Sequence, residues 1–306
     1  MRKFTVTWII FFAVLAASAA FGGEDETKFQ VDVRMVQLRA TVTDSLGRHV
    51  RNLTKDDFRV YENGVEQRIR MVIPPAQSQT VPSSVFVLFD TSNRMYEDFP
   101  YAEDCVAGFI RELNPADSVA VYSFTRNVTR LAPITHDRFA AIGGLRKAVL
   151  GDATSLYDSL LLTLRDAAQL PGNKVVVVFS NGPDTSSMLS ADNVRGVAEA
   201  EGIPIYVLST RNSNAYANAA FRDLTANTGG STYFATDWQR QILAFEAIGD
   251  DLKSSYLITY YPESADASYR KIDVHVAGDR AHSYRVRART GYQPVRAGAI
   301  EKVAEK

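Results

Sequence analysis

Three short polar segments of the chain carry side chains that could bind a ligand. They supply carboxylates, hydroxyls, an amide and one guanidinium: Asp90, Ser92 and Arg94; Asp152 and Thr154; Asn181 and Asp184. The first segment follows the unbroken apolar run 85–89, which is typical of a strand buried on both faces. In open α/β sheets ligands bind outside the carboxyl ends of the strands. We therefore take Asp90 as the leading site residue and expect the other two segments to lie beside it.

The elements that must position these residues form an alternating series. Apolar runs predict strands at 85–89, 119–124, 129–134, 174–179, 205–208 and 232–235, and helical periodicity fills the intervals between most of them. Such alternation predicts a doubly wound, Rossmann-like α/β unit with helices on both faces. We expect a mostly parallel six-stranded sheet in which 129–134 is a short antiparallel edge strand.

The segments on either side of this unit are rich in β-strand patterns. Glu62-Asn63-Gly64 is a strong hairpin signal before the predicted linker, and alternation returns near the end of the chain. We expect the two β-rich segments to form one small sandwich-like module or to pack against the α/β unit. The predicted division is a signal peptide at 1–20, a β-rich segment at 27–74, a linker at 75–83, the α/β domain at 84–253, a second β-rich segment at 254–294 and a tail at 295–306.

The beginning of the chain has the pattern of an export signal. Arg2 and Lys3 precede a strongly apolar stretch, and small residues follow it at 17–20. This predicts an exported protein, periplasmic or extracellular, and the alternative is an uncleaved anchor helix that would hold the protein at a membrane. Cys105 is the single cysteine, so no intrachain disulfide can form.

Composition removes several classes of function. The formal net charge is -1, which leaves no basic footprint for nucleic acid and no polybasic membrane patch. The four histidines show no zinc-site spacing, and no glycine-rich phosphate loop follows a predicted strand.

The three polar segments resemble those of the von Willebrand factor type A family. Asp90-Thr91-Ser92 is similar to the first half of that family's Asp-x-Ser-x-Ser motif, and Thr154 occupies the position of its threonine. The resemblance covers residues 84–253 and, with the flanking β segments, extends to exported bacterial proteins of a related subfamily. It implies a metal-ion-dependent adhesion site in which Asp90, Ser92 and Thr154 are ligands of Mg²⁺.

Two departures from the motif make this site degenerate. Arg94 stands in place of the second serine, and Asn181 stands in place of the later aspartate. Mg²⁺ prefers near-octahedral oxygen ligands with carboxylate charge, and a guanidinium has no lone pair to donate. We therefore expect weakened or lost metal binding. The role of Arg94 has two interpretations. In the first, its side chain forms a salt bridge to Asp90 or extends into solvent. In the second, its guanidinium replaces the metal ion and binds a partner's carboxylate directly.

These observations favour an exported, non-enzymatic binding or adhesion module that recognises a protein or surface ligand through the loop rim. An enzymatic alternative resembles the haloacid-dehalogenase-like phosphatases, with Asp90 as nucleophile and Ser180 holding a phosphate. That family needs a second aspartate at position 92, where this chain has Ser92. A third interpretation is a structural part of an envelope assembly in which the β module makes the contacts.

Overall fold

The fold is taken from a computed structural model of the chain. It describes residues 35–78, 81–95, 99–180, 182, 184–210, 215–263, 268–278 and 281–294, with the backbone alone at 94, 215–217 and 281. The predicted signal peptide at 1–20 and the predicted tail at 295–306 lie outside these residues.

The described elements are as follows. The strands are β1 (Val36–Asp44), β2 (Phe58–Glu62), β3 (Val65–Gln67), β4 (Ile69–Ile73), β5 (Ser83–Asp90), β6 (Ser118–Phe124), β7 (Val128–Thr135), β8 (Asn173–Ser180), β9 (Ile205–Ser209), β10 (Thr232–Phe234), β11 (Tyr256–Tyr260), β12 (Arg270–Val276), β13 (Tyr284–Arg287) and β14 (Gly291–Tyr292). The helices are α1 (Pro75–Ser78), α2 (Phe99–Glu112), α3 (Arg138–Leu145), α4 (Leu156–Ala168), α5 (Ala191–Glu201), α6 (Ala215–Thr228) and α7 (Trp238–Lys253).

The central sheet has six strands in the order β10-β9-β8-β5-β6-β7. All neighbouring pairs are parallel except β6 and β7, which are antiparallel at one edge. The strand β5 lies inside the sheet, where Val87 pairs with Val121 on one side and Val177 on the other. The predicted doubly wound sheet with its antiparallel edge strand is confirmed.

Successive side chains of the central strands point to opposite faces of the sheet and form two separate cores. Val85, Val87 and Phe89 pack with α2, α3 and α7 on one face. Phe86 and Leu88 pack with α4, α5 and α6 on the other face. Both faces of β5 are buried, which explains why its apolar run is continuous rather than alternating.

Strands from both ends of the chain build a second β module. One four-stranded sheet has the order β13-β1-β11-β4 and the other the order β14-β12-β2-β3. They share a third core that includes Leu38, Val60 and Ile258. The predicted hairpin turn is present between β2 and β3, where Asn63 and Gly64 have φ of 48° and 82°. The prediction that the two β-rich segments form one module is confirmed.

Several local features differ from the predicted ones. The segment predicted as a linker contains α1, and Ser78 Oγ donates a hydrogen bond of 2.8 Å to the backbone oxygen of Ser255. The helical periodicity of 138–149 and the alternation of 284–290 extend beyond the elements that they indicate, because α3 ends at Leu145 and β13 ends at Arg287. In the described part of the chain no helix is long and apolar enough to cross a lipid bilayer.

Candidate functional site

Asp90 is the last residue of β5, and its side chain is fully buried. Its Oδ1 accepts a hydrogen bond of 2.8 Å from the Ser92 backbone N–H. Its Oδ2 accepts one of 2.6 Å from Ser180 Oγ, at the end of the neighbouring strand β8. The carboxylate therefore ties the first loop to the ends of the two innermost parallel strands.

Ser92 is buried beside Asp90, and we call the group of Asp90, Ser92 and Ser180 the buried cradle. Its backbone forms a parallel bridge to Gly151, whose N–H donates to the oxygen of Thr91 at 2.8 Å. Its hydroxyl oxygen is buried and has no hydrogen-bond partner in the part of the chain that the structure describes. A buried hydroxyl left unpaired costs about 1–3 kcal/mol, so the cradle keeps a polar atom with unused bonding capacity.

Thr154 joins the second loop to the third. Its side chain is buried, and its N–H donates to Thr185 Oγ1 at 3.2 Å. In return the Thr185 N–H donates to the backbone oxygen of Thr154 at 2.9 Å. The next residue, Ser155, donates its N–H to the oxygen of Thr125 at 2.8 Å. These bonds hold the predicted threonine loop against its neighbours on both sides.

Asp184 has a different role from the one that its position in the sequence suggests. Its Oδ1 accepts from the N–H groups of Ser186 and Ser187, at 3.1 and 2.8 Å. Its Oδ2 accepts from Ser187 Oγ at 2.6 Å and from the Tyr157 N–H at 3.0 Å, in the first turn of α4. The carboxylate thus closes its own loop and caps a helix, which leaves it poorly placed to compensate for a missing metal ligand.

The remaining predicted rim residues are less engaged or lie outside the description. The Asp152 side chain is 81% exposed and lies 3.8 Å from the guanidinium of Arg126. Arg94 is described only as backbone of the 3-10 turn Asn93–Met95, and Asn181 lies outside the described residues. The proposed roles of these two replacements therefore stay predictions.

Sequence reasoning missed one carboxylate that shapes this rim. Asp158, in α4, accepts hydrogen bonds from the N–H groups of Met188 and Leu189, at 3.0 and 3.1 Å. Its own N–H donates to Ser187 Oγ at 3.0 Å. An acidic residue in the first turn of a helix was a readable signal, because unpaired N–H groups and the helix dipole favour negative charge there.

The described residues do not fit a complete magnesium site. The unpartnered Ser92 hydroxyl could serve as a ligand, but among the described residues Asp90 is the only carboxylate buried beside it, and each of its oxygens already accepts a hydrogen bond. No group of three or more His, Cys, Asp or Glu side chains that could hold a metal ion occurs among the described residues. A single carboxylate supplies less charge than a tightly bound Mg²⁺ requires.

Calorimetric titration with Mg²⁺ and Mn²⁺ tests this charge deficit. We expect weak or no binding heat for the natural chain, and measurable binding for the double variant Arg94→Ser/Asn181→Asp, which restores the motif's hydroxyl and second carboxylate. Asp152→Asn is the control, because it alters an exposed carboxylate on the same rim. Micromolar binding by the natural chain would contradict the expectation.

The geometry also bears on the phosphatase alternative. A carboxylate nucleophile must reach its substrate, but Asp90 is 0% exposed and is held by Ser92 and Ser180. Ser180 is itself fully buried and directs its hydroxyl at Asp90. The described cradle therefore offers hydrogen-bonding and structural groups, and it offers no exposed nucleophile.

Residues 85–184 match the family model of the von Willebrand factor type A domain. A comparison with curated protein sequences gave no match. The matched range contains the first two loops and reaches Asp184 in the third.

Several solved structures are similar to this chain at low sequence identity. A von Willebrand factor type A protein from Catenulispora acidiphila has a TM-score of 0.52 and 12% identity, over 82% of this chain and 76% of that one. The vWF domain of the type V pili tip protein Mfa5 from Porphyromonas gingivalis has a TM-score of 0.49 and 12% identity, over 56% and 94%. BatB from Bacteroides thetaiotaomicron has a TM-score of 0.45 and 18% identity, over 56% and 100%.

The family match and the six-stranded sheet point to the same family. The match begins at Val85, inside the strand that the two cores enclose, and the buried Asp90 cradle lies at the carboxyl end of that strand. The chain therefore carries a von Willebrand factor type A domain.

Proposed function

We propose that the chain is a non-enzymatic binding module that recognises a protein or surface ligand through its loop rim, with metal dependence weakened or lost. The rim consists of the seven residues predicted from the sequence: Asp90, Ser92, Arg94, Asp152, Thr154, Asn181 and Asp184. The observation that supports this most is the interlocked set of loops around an unpartnered buried hydroxyl, that of Ser92. Loops that are ordered before binding lose little conformational entropy on binding, which favours affinity.

Among the described rim residues no acid-base or nucleophile pair is placed for reaction, which favours binding over chemistry. Hydrogen bonds engage both oxygens of Asp90 and both oxygens of Asp184. Neither carboxylate is presented as a general base to an open cleft. Asp152 is exposed, and the ion-pair partner that the described residues give it is the guanidinium of Arg126, at 3.8 Å. This arrangement suits contacts with a macromolecule better than proton transfer.

We place the partner outside the cytoplasm, among proteins or other components of the cell envelope or surface. The support is the pattern at the beginning of the chain, where Arg2 and Lys3 precede an apolar stretch and small residues. The net charge of -1 gives no reason to expect nucleic acid or an anionic membrane as the ligand.

Site-specific photo-crosslinking in the cells that produce the chain tests the rim. A benzophenone side chain at position 152 should give a discrete adduct, because Asp152 is 81% exposed on the rim. The same group at position 46 is the control, because Leu46 is 75% exposed in a turn of the β module. Excess unlabelled chain should compete the adduct away, and Asp90→Asn should reduce its yield several-fold.

Two results would count against this function. An adduct at position 46 without one at position 152 would favour the β module as the contact surface. The chain would then be a structural part of an envelope assembly. Mg²⁺-dependent hydrolysis of a generic phosphoester, abolished by Asp90→Asn, would favour the phosphatase interpretation. Thermal denaturation of Asp90→Asn separates a loss of binding from a loss of fold.

A further inference from the structure

A long groove lies between α2 and α7, separate from the loop rim. Its volume is about 610 Å³, and none of the rim residues lines it. This volume lies within the range of about 300–1,000 Å³ that is usual for ligand sites. The stacked rings of Phe109 and Phe245, whose centroids are 5.0 Å apart, contribute to its lining.

One end of the groove exposes large apolar side chains. Tyr101 and Trp238, in the first turns of α2 and α7, are 60% and 50% exposed, and Ile242 is 40% exposed one turn further along α7. All three line the groove. Contiguous exposed apolar surface marks interaction sites, and aromatic residues are enriched there.

Two glycines keep the middle of the groove open. Gly108 of α2 and Gly249 of α7 both line it, and a Cβ added at either position would meet no atom within 4 Å. Neither has the positive φ that favours glycine. Glycine inside a helix lowers stability relative to alanine, so the fold gains nothing from either residue. What the missing side chains provide is room for another backbone to approach both helices.

The edges of the groove carry an excess of negative charge. Along α2 and α7 its lining includes four exposed carboxylates and two basic side chains: Asp104, Glu112, Glu246 and Asp250, with Arg111 and Lys253. Arg39 and Asp117 also line the groove and add one charge of each sign. Asp104 pairs with Arg146. For Glu112, Glu246 and Asp250 the described part of the chain provides no ion pair. Basic side chains of a partner would find unpaired carboxylates on both helices.

We propose that this groove binds an amphipathic helix of a partner protein, with small and apolar residues on one face and lysine or arginine along its flanks. Two neighbouring helices with small residues between them form a natural seat for a third. The 14 residues of α2 span about 21 Å, which corresponds to roughly four helical turns. The aromatic end would receive the largest apolar side chains, and the glycines would face the closest approach of the partner's backbone.

A synthetic helix of about four turns is the probe, with leucine and alanine on one face and lysines on the flanks. The full chain carries the change Trp8→Phe, so that Trp238 is its only tryptophan. Titration should shift the Trp238 emission to the blue and reach saturation. The matched peptide with glutamate in place of every lysine should bind at least tenfold more weakly, and added salt should weaken binding of the lysine peptide.

Substitutions of the glycines test the seat itself. Gly108→Leu and Gly249→Leu should each reduce affinity for the lysine peptide at least tenfold, because the new side chains fill the groove. Gly196→Leu is the matched control, because Gly196 lies in α5, has the same open space and does not line the groove. Circular dichroism and thermal denaturation show that each variant keeps its fold, and Asp90→Asn should leave the affinity unchanged.

Three outcomes would overturn the proposal. Equal affinity for the lysine and glutamate peptides would show that the carboxylates of the groove do not select a basic partner. An equal loss of affinity for the lysine peptide in Gly196→Leu and Gly108→Leu would show that the peptide does not bind in the groove. Saturable binding of a fatty acid such as laurate, without any response to the lysine peptide, would identify a site for a small apolar ligand instead.

Discussion

Replacing Glu62 by alanine is expected to lower the free energy of unfolding by about 3–5 kcal/mol. Glu62 ends β2, and its side chain is 4% exposed. Its Oε1 accepts hydrogen bonds from the hydroxyls of Tyr260 and Tyr292, at 2.7 and 2.8 Å. Its Oε2 lies 3.3 Å from the guanidinium of Arg270, whose side chain is 5% exposed. Urea denaturation followed by far-UV circular dichroism measures the effect.

The size of this effect follows from what the carboxylate leaves behind. Without Glu62, the Arg270 cation stays buried and loses the carboxylate that lies 3.3 Å from it. Burial and the hydrogen bonds to Glu62 raise the pKa of Tyr260 and of Tyr292, so both phenols remain protonated and lose an acceptor. A cation and two donors would then be under-satisfied in the core of the β module.

A second glutamate in the same hairpin provides the control. Glu66, on β3, lies 3.4 Å from the guanidinium of Arg59, and the two side chains are 56% and 43% exposed. Exposed ion pairs contribute about 0–1 kcal/mol, so Glu66→Ala should leave the unfolding free energy nearly unchanged. Equal, small effects of both substitutions would show that Glu62 does not hold a buried network.

The central sheet could be predicted because its signal is local. The run at 85–89 lies between two cores, and its successive side chains point to opposite faces of the sheet. The β module could be predicted only in part. Its strands were recognisable, but β1 pairs with β11 and β13 from the other end of the chain. Alternation marks a strand and does not identify a partner so far away in the sequence.

Gly144 shows how tertiary packing changes the meaning of a residue. In the sequence, Gly143-Gly144 only weakens the predicted helix. In the structure, a Cβ at Gly144 would lie 2.6 Å from the backbone oxygen of Leu131, so α3 could not approach β7 with any other residue there. A close approach between a helix and a strand cannot be read from local propensity.

The candidate site was predictable in position and less so in its bonding. Apolar runs correctly placed Asp90 and Ser180 at the ends of β5 and β8. Because Phe89 pairs with Phe179 in register, the next residues of the two strands must be neighbours, and their hydrogen bond follows. For Asp184, the sequence showed a carboxylate after a strand, but the N–H groups that engage it depend on the path of the loop.

Replacing Asp251 by alanine is expected to lower the free energy of unfolding by about 2–4 kcal/mol. Asp251, in the last turn of α7, has a side chain that is 4% exposed. It accepts hydrogen bonds from Arg287 and, at 3.1 Å, from the hydroxyl of Tyr233, and it lies 3.3 Å from Nε2 of His49. Arg287 and His49 belong to the β module, while Asp251 and Tyr233 belong to the α/β domain.

The expected effect of Asp251→Ala is smaller than that of Glu62→Ala because the Arg287 side chain is 29% exposed, so water can partly solvate the cation left behind. Asp250→Ala is the matched control, since this neighbouring carboxylate is exposed and its loss should change the unfolding free energy by less than about 0.5 kcal/mol. Urea denaturation followed by circular dichroism compares the two variants.

The shape of the transition also depends on Asp251, because this side chain forms polar contacts between two units whose apolar cores are separate clusters. If this carboxylate couples them, Asp251→Ala should broaden the unfolding transition or split it in two, whereas Asp250→Ala should leave it single and steep. A single steep transition in Asp251→Ala, at the midpoint of the natural chain, would show that the remaining contacts, among them the hydrogen bonds of Gln37 with Asn173 and of Arg289 with Glu199, are sufficient to couple the two units.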